Sequence, residues 1–137
     1  MTIDVYTANT PNGVKIPIAL EELGVPYRVI NVNLGAREQK TDAFLRLNPN
    51  GRIPVIVDAN GIDEAHANAS LLSVFESGAI LLYLAQRYAP VDGARGLLPV
   101  DPVERARTLE YTMFQVRGVG PMFGQAGCAL RTTRACS

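Results

Sequence analysis

Three short segments carry residue types and spacings that can do chemistry. Thr10-Pro11-Asn12-Gly13 follows an alternating apolar stretch and precedes a helical pattern. A helix start offers unpaired backbone N–H groups and the positive end of a helix dipole. Thr10 adds a hydroxyl and Asn12 an amide donor. Together these can hold a thiolate or another anion, and such surroundings lower a thiol pKa from its ordinary value of about 8.5. The structural alternative is that Thr10 only caps a helix and Pro11-Asn12-Gly13 only turns the chain. Asn50-Gly51-Arg52-Ile53-Pro54-Val55 sets a proline at the mouth of a buried strand. That is a place for a cis peptide bond, which leaves neighbouring backbone groups facing a cleft where a peptide can pair like an added strand. It is equally a place for a proline that merely opens an edge strand. Phe75-Glu76-Ser77-Gly78-Ala79 opens a helix. With Ser77 as its cap, the free N–H groups take a carboxylate and Glu76 takes an ammonium, which suits the end of an amino acid. An N-cap beside an acid favoured by the helix dipole accounts for the same residues structurally.

The elements around these segments follow from pattern. Ile3–Thr7 alternates apolar and polar and reads as a strand. Ile16, Ala19, Leu20 and Leu23 mark a helix face, ended by Gly24 and Pro26. Pro17 requires that this helix start near Lys15 or kink. Tyr27–Leu34 reads as a second strand and Thr41–Leu47 as a short helix with Thr41 as N-cap. Asn48-Pro49-Asn50-Gly51 is a turn, Val55–Asp58 a buried strand, Ala59–Ser70 a polar loop and Leu71–Phe75 a fourth strand. Ser77–Tyr88 is a helix apolar nearly all round, expected to be buried on most sides. This order gives one parallel crossover and one antiparallel hairpin. The expected fold is α/β and thioredoxin-like over 1–88: a mixed four-stranded sheet with flanking helices. In that topology all three chemical segments meet at one sheet edge, where open α/β sheets bind ligands.

Residues 89–100 are rich in Gly and Pro and read as a linker. Asp101-Pro102-Val103-Glu104 then caps a helix, the first of an all-α region assigned to 101–126. It is expected to run to about Val116 and to be broken by Gly118, Gly120 and Pro121. Residues 127–137 show no helical face and are expected to be disordered.

Composition narrows the partners. The 137 residues include 13 Lys plus Arg and 13 Asp plus Glu, for a net charge of zero. No basic surface for nucleic acid or for a membrane follows from that balance. No apolar run reaches the ~18 residues of a membrane span, and no leader is visible, so a cytoplasmic protein is expected. The only cysteines, Cys128 and Cys136, and the only histidine, His66, exclude a zinc finger, a Cys-x-x-Cys redox site and a disulfide scaffold. No metal is expected. Cys128, Cys136 and His66 are read as incidental.

Taken together, Thr10-Pro11-Asn12-Gly13, Asn48-Pro49-Asn50-Gly51-Arg52-Ile53-Pro54 and Phe75-Glu76-Ser77-Gly78-Ala79-Ile80-Leu81 resemble the N-terminal domain of a cytosolic glutathione transferase. The first segment, with Phe114-Gln115-Val116-Arg117-Gly118-Val119-Gly120-Pro121-Met122, resembles the nu-class branch, the bacterial glutathione disulfide-bond oxidoreductases. That branch is itself similar to a yeast nitrogen-regulatory protein. The resemblance covers roughly residues 3 to 126. It implies glutathione as co-substrate. Ile53 would offer backbone bonds to its cysteinyl part, with Pro54 cis. Glu76 and Ser77 would hold the γ-glutamyl end, Gln39 and Arg52 the glycyl end or nearby backbone, and Thr10 and Asn12 would face the sulfur. No cysteine lies near Thr10, so the nucleophile is expected to be the substrate's own thiolate. The implied activity is glutathione-dependent thiol–disulfide exchange, with transferase activity secondary. The second substrate would be a small disulfide, peroxide or electrophile. A binding or regulatory module without turnover is the alternative.

The family also implies a homodimer and a larger helical domain. The segment Cys128–Ser137 matches nothing in the family, which raises the expectation of a truncated or frame-shifted reading. Helices absent from such a chain would normally cover Leu109, Met113 and Val116, leaving those side chains exposed.

Overall fold

The computed structural model describes residues 2–59, 71–88 and 96–135. The chain divides into two compact units, Met1–Leu98 and Pro99–Ser137. The boundary falls inside the expected linker, of which 89–95 lie outside the described residues. So do most of the polar loop with His66, and Cys136.

The first unit is a four-stranded sheet in the order β2-β1-β3-β4. Strand β1 (Ile3–Thr7) runs parallel to β2 (Tyr27–Asn31) and antiparallel to β3 (Val55–Asp58), which pairs antiparallel with β4 (Leu72–Phe75). The alternation in β1 sorts its side chains between two cores. Ile3 and Val5 join Ile56 under helices α1 (Lys15–Leu23) and α3 (Ser77–Arg87), with Ile16, Leu20, Ile80 and Leu84 fully buried. Tyr6 faces the other way and meets Phe44 of α2 (Asp42–Leu47) edge-on, with ring centroids 6.3 Å apart. Val55 is buried on that same side, so β3 is covered on both faces.

Local chemistry explains most boundaries. Helix α1 begins at Lys15, so Pro17 falls in the first turn, where no intrahelical N–H is required. The Thr41 hydroxyl caps α2 by accepting from the Phe44 N–H at 3.4 Å. Strand β2 stops three residues earlier than the alternation suggests. Asn33 diverts the chain there: its N–H donates to the Glu38 carboxylate at 2.7 Å and its Oδ1 accepts from the Ala36 N–H at 3.0 Å. A 3₁₀ turn over Glu38–Lys40 follows, which the sequence pattern did not disclose.

At the far end of β3, Asp58 is fully buried and accepts hydrogen bonds from the hydroxyls of Tyr83, at 2.7 Å, and Tyr88. Burial, reinforced by the Asp58 hydrogen bond and charge, pushes the Tyr83 hydroxyl well above its ordinary pKa. This contact ties α3 to the end of β3 opposite the chemical segments.

In the second unit, the Asp101 carboxylate caps α4 (Pro102–Phe114) by accepting from the Val103 and Glu104 N–H groups at 3.0 and 2.9 Å. The expected break after Val116 does not occur. A π-helical turn over Gln115–Val119 carries the chain into α5 (Gly120–Ala135). The wider turn absorbs Gly118, and Pro121 becomes the second residue of the resumed helix, a position that tolerates its missing N–H. Past Gly127 the backbone is helical to Ala135. No proline follows Pro121, and Ala129, Leu130 and Arg131 are good helix formers. Met113 is exposed as expected, whereas Leu109 and Val116 are half-buried. No helix among the described residues is long and apolar enough to cross a membrane.

Candidate active site

Strand register decides what meets at the sheet edge. Tyr6 is opposite Val55, and Val55 is opposite Phe75. The segments that leave or enter these positions, 8–13, 52–54 and 76–77, therefore emerge side by side. On the other flank Thr7 is opposite Asn31, which sends 33–40 out at the same edge.

The loop after β1 is built around Gly13. The buried Thr7 hydroxyl donates to the Gly13 carbonyl at 2.9 Å, and the Gly13 N–H donates to Thr10 Oγ1 at 3.0 Å. A Cβ on Gly13 would sit 2.1 Å from the Ala8 carbonyl oxygen and 2.5 Å from Thr7 Oγ1, so only glycine fits. Thr10 thus closes a turn ahead of α1 instead of capping the helix, whose N-cap is Val14 with no side-chain bond. Its oxygen accepts, which leaves its proton as a donor. Asn12 is exposed, and its Oδ1 accepts from the Lys15 ammonium at 2.9 Å, leaving the amide N–H groups as donors. Burial holds the Lys15 pKa below its ordinary value.

The Ile53–Pro54 bond is cis, the first of the two forms the sequence allowed. The turn ahead of it is organised by Asn48, which is almost fully buried. Its Nδ2 donates to the Arg52 carbonyl at 2.7 Å, and its Oδ1 accepts from the Asn50 N–H at 2.9 Å. Gly51 has φ 61°, and a Cβ there would lie 2.9 Å from the Gln39 carbonyl oxygen. That close approach brings Gln39 against the turn. Gln39 Oε1 is buried without a hydrogen-bond partner among the described residues. Ile53 is half-buried against the Phe44 core, and Arg52 is exposed.

The third segment departs from expectation in one respect. Ser77 does not cap α3 but is its first residue, and Glu76 is the N-cap, with no side-chain cap bond. Glu76 has φ 71° and ψ 118°, a left-handed backbone for a residue with a side chain. That turn delays the helix by one residue and frees the buried Ser77 hydroxyl from capping. Asn50 Nδ2 donates to Glu76 Oε1 at 3.5 Å, joining the second and third segments.

Ile53, Pro54, Glu76 and Ser77 are therefore gathered by register, with Gln39 and Arg52 beside them. Thr10 and Asn12 stand at the same edge, and their hydrogen bonds stay within their own loop and the first turn of α1. Sequence reasoning missed Asn50 and Lys15. Asn50 was legible only as a turn residue, and Lys15 as a polar position at a helix start. Lys40 was missed too; its ammonium donates to the Asn50 carbonyl at 3.2 Å. A separate, mostly apolar pocket of about 390 Å³ lies between β2 and α2, beside Tyr6 and Phe44, and includes none of the expected site residues. Among the described residues no cluster of His, Cys, Asp and Glu can hold a metal ion.

Residues 1–86 match the family model for the glutathione S-transferase N-terminal domain. The chain belongs to the glutathione S-transferase family. It is 48% identical over 124 residues to the disulfide-bond oxidoreductase YfcG of Escherichia coli, covering 90% of this chain and 53% of that protein. It is 36% identical over 118 residues to the transcriptional regulator URE2 of Saccharomyces cerevisiae, covering 86% of this chain and 31% of the relative. A glutathione transferase from Pseudomonas putida, solved with one glutathione disulfide bound per subunit, superimposes with a TM-score of 0.80 at 42% identity, covering 92% of this chain and 50% of that one. The chain thus spans about half the length of the bacterial relative and about a third of the yeast one.

Proposed function

We propose that the chain binds glutathione at this sheet edge and serves glutathione-dependent thiol–disulfide exchange, with transfer to electrophiles as a secondary activity. The observation that carries the reading is the junction of Glu76, Ser77 and the Ile53–Pro54 segment, fixed by the pairing of β3 with β4 and linked through Asn50. A carboxylate beside buried N–H and O–H donors at the start of α3 suits the ammonium and carboxylate of a γ-glutamyl group. The Ile53 backbone would pair with the cysteinyl part, and Gln39 and Arg52 would meet the glycyl end.

The chemistry falls to the ligand. The two cysteines lie at positions 128 and 136, far in sequence from this edge. The glutathione thiolate would attack one sulfur of a disulfide, forming a mixed disulfide and releasing the other sulfur as a thiolate that takes up a proton. Thr10 and Asn12 would donate hydrogen bonds to the attacking sulfur, stabilising its anion and aiming it. A relative named a disulfide-bond oxidoreductase supports this reading.

Binding without turnover is the second reading, favoured by the relative named a transcriptional regulator. Calorimetry with glutathione and glutathione disulfide tests both, with Ser77→Ala as control. Binding that the control weakens about tenfold or more, together with reduction of a small disulfide, supports the enzyme. Binding without reduction supports the module. A folded chain that binds neither ligand sinks both readings.

A further inference from the structure

Lys15 is unusual for its position. It opens α1, where the helix dipole disfavours a cation, and no acidic residue stands in that first turn. It is also half-buried, so its charge is partly desolvated. Residues that break a local rule concentrate at functional sites. The ammonium of Lys15 donates a 2.9 Å hydrogen bond to Asn12 Oδ1.

That bond has a directional consequence. A carboxamide held by its oxygen presents its two N–H groups on the other side, and a cation on the oxygen polarises them toward stronger donation. Oxygen and nitrogen of Asn12 can then no longer exchange places, because an amide N–H cannot accept from an ammonium. The anion that Asn12 is read as facing would see a fixed donor with a positive charge behind it.

We propose that Lys15 is a positioning residue for the glutathione thiolate, locking the Asn12 amide with its N–H groups available to the sulfur and adding a positive charge behind it. This rests on the reading of the site given above. Lys15 need not touch the ligand. Its contribution falls on the ionised sulfur and not on the peptide part of glutathione, and that separates it from a residue that merely shapes the loop.

The test uses the full chain and two ligands, glutathione and S-methylglutathione, the second having no ionisable sulfur. The ultraviolet absorbance of the bound thiolate is titrated against pH for the wild type, Lys15→Met and Lys15→Arg, and the affinity of each for S-methylglutathione is measured. Lys15→Met is expected to raise the midpoint of thiolate formation by about one pH unit, the lower end of what a nearby opposite charge does. Its affinity for S-methylglutathione should stay within about twofold of wild type, and Lys15→Arg should restore most of the midpoint. An unshifted midpoint in Lys15→Met overturns the proposal, as does equal weakening of both ligands in Lys15→Met and Lys15→Arg with the fold intact. Failure of the wild type to bind either ligand is a different result: it overturns the site itself, and the proposal with it.

Discussion

The backbone at Glu76 makes a prediction in which stability and binding move in opposite directions. A residue with a side chain at φ 71° and ψ 118° stores strain of about 1–3 kcal/mol. Glycine relieves it, at a chain-entropy cost of about 0.5–1 kcal/mol. Removing the side chain also removes the exposed 3.5 Å hydrogen bond from Asn50, which at that length and exposure contributes a few tenths of a kcal/mol at most. Glu76→Gly should therefore stabilise the chain by about 1 kcal/mol. For a unit of this size that raises the thermal midpoint by roughly 4–8 °C. Glu76→Ala keeps the strain and removes the same carboxylate, so its stability should stay within about 0.5 kcal/mol of wild type. Both variants should bind glutathione more weakly by roughly 10- to 150-fold, the worth of one charge-assisted hydrogen bond to the ligand ammonium. Urea unfolding gives the first quantity and calorimetry the second. A Glu76→Gly protein no more stable than Glu76→Ala would show that no strain resides at this φ. Wild-type affinity in either variant would remove Glu76 from the ligand site.

Three further outcomes follow from neighbouring geometry. Gly13→Ala drives a methyl against the Ala8 carbonyl oxygen at 2.1 Å, so it should lose about 2 kcal/mol or more in urea unfolding and bind no glutathione. A protein of unchanged stability would contradict the packing of that loop. Asn48→Ala strands the Arg52 carbonyl and the Asn50 N–H, for a loss of about 3 kcal/mol; less than about 1 kcal/mol would mean that water reaches both groups. The Tyr83 hydroxyl titrates above its unfolded value of about 10. The folded state holds that proton more tightly, so its contribution to stability is full below pH ~10 and is lost as pH rises beyond it. Tyr83→Phe, which keeps Tyr88 on Asp58, should lose stability less steeply than wild type over that alkaline range. Parallel decline of the two proteins would refute the assignment.

The fold was legible where the pattern was strong. Strands β1 and β3 fall where alternation and the buried run placed them, and Lys15 starts α1 because Pro17 allows little else. The errors share a cause, which is that local signals were read without the turns that override them. Gly118 and Pro121 read as breakers of a straight α-helix, whereas a π turn takes in Gly118 and Pro121 falls just beyond it, at the start of α5. Ser77 looked like a cap because serine favours that position. The left-handed turn at Glu76 takes the role instead, and no composition rule places a glutamate there. Asn50 and Lys15 were missed for the opposite reason: each has an ordinary explanation in sequence, as a turn former and as a polar helix start. Only the bonds to Glu76 and Asn12 give them another.

The distribution of these exceptions is itself informative. The interior obeys simple rules: Ile3, Val5, Ile16, Leu20, Ile56, Ile80 and Leu84 are apolar and buried, and the buried Asp58 is matched by two hydroxyls. The departures lie at one edge. A glutamate has a left-handed backbone, a lysine opens a helix, and a glutamine side-chain carbonyl is buried without a partner among the described residues. The glutamate backbone and the unpartnered glutamine carbonyl cost stability, and all three residues lie on segments leaving the strand ends that the register brings together. Scattered defects would leave no such pattern. A ligand that supplies an ammonium to Glu76, a donor to Gln39 and an anion in front of Asn12 engages all three at once. A tripeptide thiol with charges at both ends has that set of groups, and free cysteine, which has no group to reach Gln39, does not. Affinity for glutathione well above that for cysteine is therefore the expected consequence, and equal affinities would show that the three departures do not serve one ligand.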